Sequence, residues 1–406
     1  MPDFARSEHP AVQAQLERLS LLSPGGDRLG LDRITRLLDR LGRPQDRLPA
    51  VFHVAGTNGK GSTCAFLRAA LEASGHTVHA FTSPHLVRFN ERIRVARKLI
   101  EDSDLSALLT EVLDASDDIE PSFFEVTTAV AFLAFARTPA DAAVIEVGLG
   151  GRLDATNVIE RPVATGIAAL GIDHQQFLGK SLVEIAAEKA GIAKAGIPLV
   201  VLTQAAEAEA AIQQAADERG AAVIREGRDW TADPTLRSSL LGDHQVRNAN
   251  LAWQMLLAQD QVPVGRASFL SGLTSVQWPA RFQRLAGGPL TQGIETWIDG
   301  AHNVEAAHAL AALLADHGPK HIVIGILANK DSSAIIAELA PHAASFTFVP
   351  VADHEHHDPA ELAAQFGGRA AGSLEEALAG LPAPRLIAGS LYLAGKALRL
   401  NGQTPD

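Results

Sequence analysis

Between residues 50 and 200 short apolar runs alternate with longer stretches of helical period. The runs at 51–55, 78–81, 142–147, 163–169 and 197–202 read as buried strands, and helices are predicted between them at 62–74, 124–137 and 182–195. Ser181 and Glu184 have capping-box spacing ahead of the last helix. This alternation favours a parallel sheet with crossover helices. Residues 205–260 read as mostly helical and Ala-rich. The pattern stops in QRLAGGPLTQG (283–293), whose three Gly and one Pro mark a linker. A second alternating series follows, with strands at 296–299, 321–327, 346–349 and 385–388. Its helices lie near 304–316, 333–340, 359–366 and 374–379, with one more after Ser390. The predicted organisation is α/β: a large domain over 1–284 with a mainly parallel sheet, a linker over 285–293, and a smaller C-terminal α/β domain over 294–406.

Composition narrows the function classes. Of 406 residues, 47% are hydrophobic and 20% charged, enough for full cores and too little charge for a disordered chain. The formal charge of -12 argues against general coating of nucleic acid but leaves room for small anionic substrates. The longest apolar stretch, near 129–136, is too short to span a membrane, and MPDFARSEHP carries no apolar signal core. The single cysteine, Cys64, fits a reducing compartment. A soluble cytoplasmic protein is expected, with a monomer as the default assembly.

The densest local signal is VFHVAGTNGKGST (51–63), which follows a strand and opens a helix. Gly56, Gly59 and Gly61 let backbone N–H groups approach phosphate oxygens, the helix N-terminus adds partial positive charge, and Lys60 adds a full one. Ser62 and Thr63 can offer a hydroxyl to a metal. Gly61 separates Lys60 from Ser62, a departure from the common phosphate-loop spacing. Cys64, one turn into the helix, reads as packing.

All strands of a parallel sheet end on one side, where such folds bind ligands. That edge collects Ser83 after the second strand, Glu146 near the end of the third, and Asp173 and His174 after the fourth. A hydroxyl and a carboxylate beside a triphosphate suit Mg²⁺; His174, judged on chemistry alone, reads as an acid/base or orienting group. Gly148-Leu-Gly150-Gly-Arg-Leu153 falls short of a dinucleotide fingerprint at its sixth position. In the C-terminal series, Asp299, His302 and Asn303, then Asn329, Lys330 and Asp331, then Ser390 and Tyr392 follow strands in the same way, predicting a second polar edge facing the first domain across a cleft. His354-Glu-His-His357-Asp358 is not a zincin pattern and reads as a solvated loop rather than a metal site.

Taken together these motifs resemble the dihydrofolate synthase / folylpolyglutamate synthase family of the Mur-ligase superfamily. The resemblance runs from Leu29 to Tyr392 and is carried by AGTNGKGS (55–62), in which the extra Gly61 is itself typical, TSPHLVRFNERIRV (82–95) and IEVGLGGRLDATN (145–157). Shorter matches are EKAGI (188–192), WPARF (278–282), DGAHN (299–303) and NKD (329–331). Val304, Asn329 and Ala280 depart from common residues of the family at turns.

The resemblance implies a P-loop ATP-binding domain followed by a Rossmann-like C-terminal domain. Gly56, Thr57, Asn58, Gly59, Lys60, Gly61 and Ser62 would hold ATP phosphates, and Asn248, Arg281 and Asp299 would contact ATP from the domain interface. Ser83, Glu146 and His174 would ligate Mg²⁺ across two sites. Lys189 would be carbamylated, where the residue alone reads as a solvated helix lysine. His302 and Ser390 would sit near the incoming glutamate, and Phe124, Leu153, Asp154 and Ala155 would line the pterin side. The implied reaction joins L-glutamate to dihydropteroate and to reduced folates through an acyl phosphate, with small molecules as the only partners. A folylpolyglutamate synthase alone is the nearest alternative. A ligase acting on a peptidoglycan precursor is less expected, since those enzymes usually carry an extra N-terminal domain and this phosphate loop begins just after residue 50. A non-catalytic nucleotide switch would have no use for the second polar edge.

Overall fold

The computed structural model describes residues 5–22 and 29–406. They form two compact units. The first comprises the chain up to His85, Phe89–Ser239 and Asp243–Gln277; the second comprises Leu86–Arg88, Leu240–Gly242 and Trp278–Asp406.

The first unit is built on β1 (Ala50–Ala55), β2 (Val78–Phe81), β3 (Ile93–Val95), β4 (Lys98–Leu99), β5 (Ala142–Glu146), β6 (Ala164–Ile167), β7 (Pro198–Val201) and β8 (Ala222–Arg225). Their spatial order is β4-β3-β2-β5-β1-β6-β7-β8. β2, β5, β1, β6, β7 and β8 run parallel, and β3 and β4 add an antiparallel edge. The central strands are apolar on both faces because helices cover both, which is why they lack a polar period. Helix Phe123–Arg137 is buried almost all round, matching its uniformly apolar sequence, and Ser122 and Glu125 close a capping box at its start. β8 lies in the stretch expected to be helical. The helix expected over 182–195 ends at Ala190. Gly191, at its C-terminus, stands so close to Arg152 that a Cβ there would meet the Arg152 Cβ at 2.3 Å.

The second unit is built on β9 (Gln283–Arg284), β10 (Thr296–Ile298), β11 (Lys320–Ile324), β12 (Ala343–Phe348), β13 (Arg369–Ala370) and β14 (Arg385–Ala388), in the order β13-β12-β11-β14-β10-β9. All pairs are parallel except β9 with β10. That antiparallel pair places Gln283 and Arg284 in this sheet, so the second unit starts at Trp278, ahead of the expected linker. Apolar clusters pack on the two faces of the sheet, one around Leu310, Ile322 and Phe348, the other around Val323, Ile387 and Leu393. Val87 belongs to the latter cluster, and its carbonyl accepts from Arg399 Nη2 at 3.1 Å. Among the described residues no helix is long and apolar enough to cross a membrane.

Candidate active site

Register fixes where the loops of the first unit emerge. Val54 on β1 stands opposite Glu146 on β5 and Gly166 on β6. The segments that leave these strands are therefore neighbours. Val147 N donates to Val54 O at 2.9 Å, and Ala168 N donates to Ala55 O at 2.9 Å.

The phosphate-type loop leaves β1 and enters helix Lys60–Ala73, whose N-terminus has no side-chain cap and so presents its first N–H groups to any anion. Thr57 N and Asn58 N donate to Ala169 O at 2.9 and 3.1 Å, and Thr57 Oγ1 donates to Gly171 O at 3.0 Å, tying the loop to the segment after β6. Lys60 Nζ folds over the loop and donates to Gly56 O at 3.1 Å and Thr57 O at 3.2 Å. Gly61 and Ser62 are buried in the first turn of the helix. Gly59 has φ 87°, and a Cβ there would lie 2.4 Å from Asn248 Oδ1. Alanine at 59 is expected to cost about 1–3 kcal/mol in backbone strain, and to push the buried Asn248 amide aside. Thermal melts with and without ATP check this; an unchanged melting temperature together with unchanged ATP stabilisation contradicts it. Beside the loop a cavity of about 710 Å³ is walled by Ala169, Leu170, Gln204, Glu226 and Arg247, the last two paired at 2.7 Å.

Lys189 is not the solvated residue its sequence context suggests. It is buried in the last turn of helix Leu182–Ala190, whose phase the Ser181–Glu184 capping box sets, and its Nζ donates to Gly56 O at 2.8 Å. Two lysine side chains thus converge on one carbonyl. Burial, and then the charge of Lys60, pull the Lys189 ammonium down to about 7, with Asp173 and Asp154 opposing.

Ser83 and Glu146 are brought together: Ser83 N donates to Glu146 Oε2 at 3.1 Å, and Glu146 is buried at the end of β5. Burial and this carboxylate push the Cys64 thiol up, so Cys64 is a packed, protonated thiol. His174 has φ 52° just before the short helix Gln175–Leu178, and its N–H donates to Asp173 Oδ1 at 2.8 Å. Among the described residues no three His, Cys, Asp or Glu side chains gather closely enough to hold a metal by themselves. A divalent ion here would complete its shell with hydroxyl, water and phosphate oxygens, as Mg²⁺ commonly does.

The Phe124 ring stands over Gly148, where a Cβ would come within 2.3 Å of it, and 5.8 Å from the Phe81 ring. Leu153 is half-buried, while Asp154 and Ala155 are buried. Both carboxylate oxygens of Asp154 serve the loop itself. Oδ1 accepts from Thr156 N at 3.0 Å and from Thr156 Oγ1, and Oδ2 accepts from Leu149 N at 2.8 Å. Burial raises its pKa against those donors. Two residues that the sequence reading passed over complete this arrangement. They are Thr156 and His53, whose Nε2 lies 2.8 Å from Thr156 Oγ1. The available signal was a histidine inside an otherwise apolar strand.

In the second unit Asp299 directly follows β10 and holds the neighbouring turn, its oxygens accepting from Phe282 N and Ala301 N at 2.7 Å each. Burial raises its pKa and Arg281 opposes that rise. Ala280 and Phe282, flanking Arg281, both have positive φ, 57° and 44°, and Arg281 Nη1 donates to Ala280 O. His302 Nδ1 donates to Gly300 O at 2.8 Å. Ser390 is buried and caps helix Leu391–Leu400. The His-rich loop is partly exposed, as its polar sequence predicts, yet its histidines make specific contacts. His356 bridges to Leu327, His357 Nε2 donates to Lys330 O at 2.9 Å, and the His354 ring stacks on Tyr392 at 3.8 Å.

Residues 280–385 match the family described as Mur ligase, glutamate ligase domain. With a glycine-rich phosphate loop on a parallel sheet ahead of it, this defines the class as ATP-dependent ligase. The Bacillus subtilis dihydrofolate synthase/folylpolyglutamate synthase is 37% identical over 361 residues, covering 80% of this chain and 82% of that one. The chain belongs to the dihydrofolate synthase/folylpolyglutamate synthase family. Escherichia coli FolC in complex with DHPP and ADP superposes with a TM-score of 0.87 at 29% identity, over 97% of this chain and 98% of that one. The bifunctional Yersinia pestis enzyme complexed with AMPPNP and Mn ion gives 0.86 at 28% identity, over 97% and 98%.

Proposed function

We propose that this chain joins L-glutamate to dihydropteroate and to reduced folates, using ATP and a divalent cation. The observation that carries the site assignment is the convergence of Lys60 and Lys189 on the Gly56 carbonyl, beside the Ser83–Glu146 pair.

A carboxylate resists attack by an amine, so its oxygen first takes the γ-phosphoryl group of ATP, releasing ADP. The glutamate nitrogen then attacks the acyl carbon, loses a proton, and inorganic phosphate departs with the C–O bond. Such transfers need positioning and charge stabilisation more than covalent help from the protein. Gly56, Thr57, Asn58, Gly59, Gly61 and Ser62 cradle the phosphates with their N–H groups, and Lys60 turns from its own loop to meet the transferring oxygens. Asn248, Arg281 and Asp299 bind the rest of the nucleotide. The all-oxygen pair Ser83 and Glu146 suits Mg²⁺, with His174 supplying a ligand for a second ion. When bound, Mg²⁺ neutralises charge developing on the phosphate oxygens.

The neutral amine of Lys189, made available by its lowered pKa, adds to CO₂ and releases a proton. The resulting carbamate replaces a buried cation by an anion next to the metal ligands. Phe124, Leu153, Asp154 and Ala155 line the pterin side, and His302 and Ser390 lie with the incoming glutamate. The reading places the enzyme in the cytoplasm as a monomer working on small molecules, with neither nucleic acid nor membrane as partner.

Phosphate release with ATP, Mg²⁺ and L-glutamate tests the proposal, comparing dihydropteroate with tetrahydrofolate as acceptor. Turnover of both is the expected result. Turnover of tetrahydrofolate alone moves the chain to the single-activity branch, and turnover of neither overturns the ligase reading.

A further inference from the structure

His53 sits on β1 with its side chain on the same face as Val51 and Ala55, by the alternation of a strand. Val51 belongs to one apolar cluster and Ala55 to another, so the imidazole occupies the seam between them, fully buried. An aliphatic residue would fill this seam without desolvating a ring that leaves Nδ1 buried with no hydrogen-bond partner. A polar side chain kept at such a place needs a use.

The hydrogen bonds have one direction. Thr156 Oγ1 donates to Asp154 Oδ1, so it accepts from His53, which must carry its proton on Nε2. Burial lowers the ring pKa to about 3, so the ring is neutral and keeps that single donor at physiological pH. The line His53–Thr156–Asp154 ends at Leu149 N, across the loop 148–157. Three residues after His53 the same strand delivers Gly56. One strand therefore carries the phosphate-type loop on its main chain and anchors the neighbouring loop by a side chain.

We propose that His53 is a positioning residue for the acceptor acid: through Thr156 and Asp154 it holds the 148–157 loop in the posture that seats the pterin-bearing substrate. The inference rests on the reading above that Phe124, Leu153 and Ala155 line that side. β1 keeps its place by main-chain pairing with β5 and β6, whatever side chain stands at 53. The ATP side should then be insensitive to the change.

The test is steady-state kinetics of phosphate release with dihydropteroate and with tetrahydrofolate, on His53→Leu, His53→Gln, Thr156→Val and Thr156→Ser. Leucine and valine remove the donor and the relay. Glutamine places an N–H near the Nε2 position, and serine keeps the hydroxyl. The expected result is an acceptor KM raised about tenfold in His53→Leu and Thr156→Val, with the KM for ATP within about twofold of wild type. His53→Gln and Thr156→Ser should return most of the loss, and the double variant His53→Leu/Thr156→Val should be little worse than either single one. An unchanged acceptor KM in soluble His53→Leu overturns the inference, as does a parallel rise in both KM values. Should His53→Leu fail to fold, the comparison of Thr156→Val with Thr156→Ser decides alone. A wild type inactive with both acceptors overturns the ligase reading and this inference with it; an active wild type beside an unaffected His53→Leu overturns the inference only.

Discussion

Lys60→Ala protein folds like the wild type and ligates at least about a hundredfold more slowly, the loss usual for removing one donor aimed at developing charge. The fold should survive because Lys60 Nζ bonds only to carbonyls of its own loop, at Gly56 and Thr57, and the Gly56 carbonyl keeps Lys189 as a donor. The loop itself is held by Thr57 and Asn58 on Ala169 and Gly171, which the substitution leaves alone. The loss should fall on kcat more than on the KM of the acceptor. Circular dichroism with phosphate-release kinetics checks both halves. A folded Lys60→Ala enzyme working at the wild-type rate removes the phosphate assignment of this loop.

The second large effect concerns Lys189. Lys189→Met is expected to lose about a hundredfold or more in kcat, since the metal side loses a charged group in a buried place. Wild-type enzyme depleted of CO₂ should lose activity and recover it with bicarbonate, and ¹³C-labelled bicarbonate should give a carbamate signal absent from Lys189→Met. Recovery should be faster at pH 8 than at pH 6, because only the neutral amine reacts and its pKa lies at about 7. The sign for stability follows from the same depression below the usual 10.5. Between these values the unfolded chain binds the proton that the folded chain has released. Unmodified protein therefore gains stability as pH climbs through that window and loses it as pH falls through about 7. Denaturant midpoints in CO₂-free buffer test this, and a flat profile, with no labelled carbamate, refutes the role.

The parallel architecture was legible because central strands with helices on both sides lose their polar period, as 142–147 does. Capping chemistry located the start of helix Leu182–Ala190, while its end was hidden. Beyond it, Gly191 packs closely against Arg152, far away in sequence. β8 was missed because it is a short, half-exposed edge strand inside an Ala-rich stretch. β9 was not legible because a two-residue strand carries no period at all. The motifs alone are enough to put the phosphate-type loop, Ser83 and Glu146 at one edge. They could not show that Lys189 is buried, since that depends on which face of its helix meets Gly56. His53 and Asp154 also differ in this way. Each is visible as a residue type, and their connection through Thr156 exists only once β1 and the 148–157 loop are packed together.

The strand order has a bearing on how the chain is made. β1 stands between β5 and β6, and the loop that follows it is fastened to Ala169 and Gly171. During synthesis residues 56–62 leave the ribosome early, yet the neighbours that shape them, from β5 through Ala169 and Gly171 to Lys189 and Asn248, all lie far downstream. The nascent segment gains a neighbour on one side of β1 when β5 emerges, and on the other only with β6 and the residues up to 171. The signature motif is thus made early and finished much later, and a chain truncated before its partners emerge carries its letters without its form.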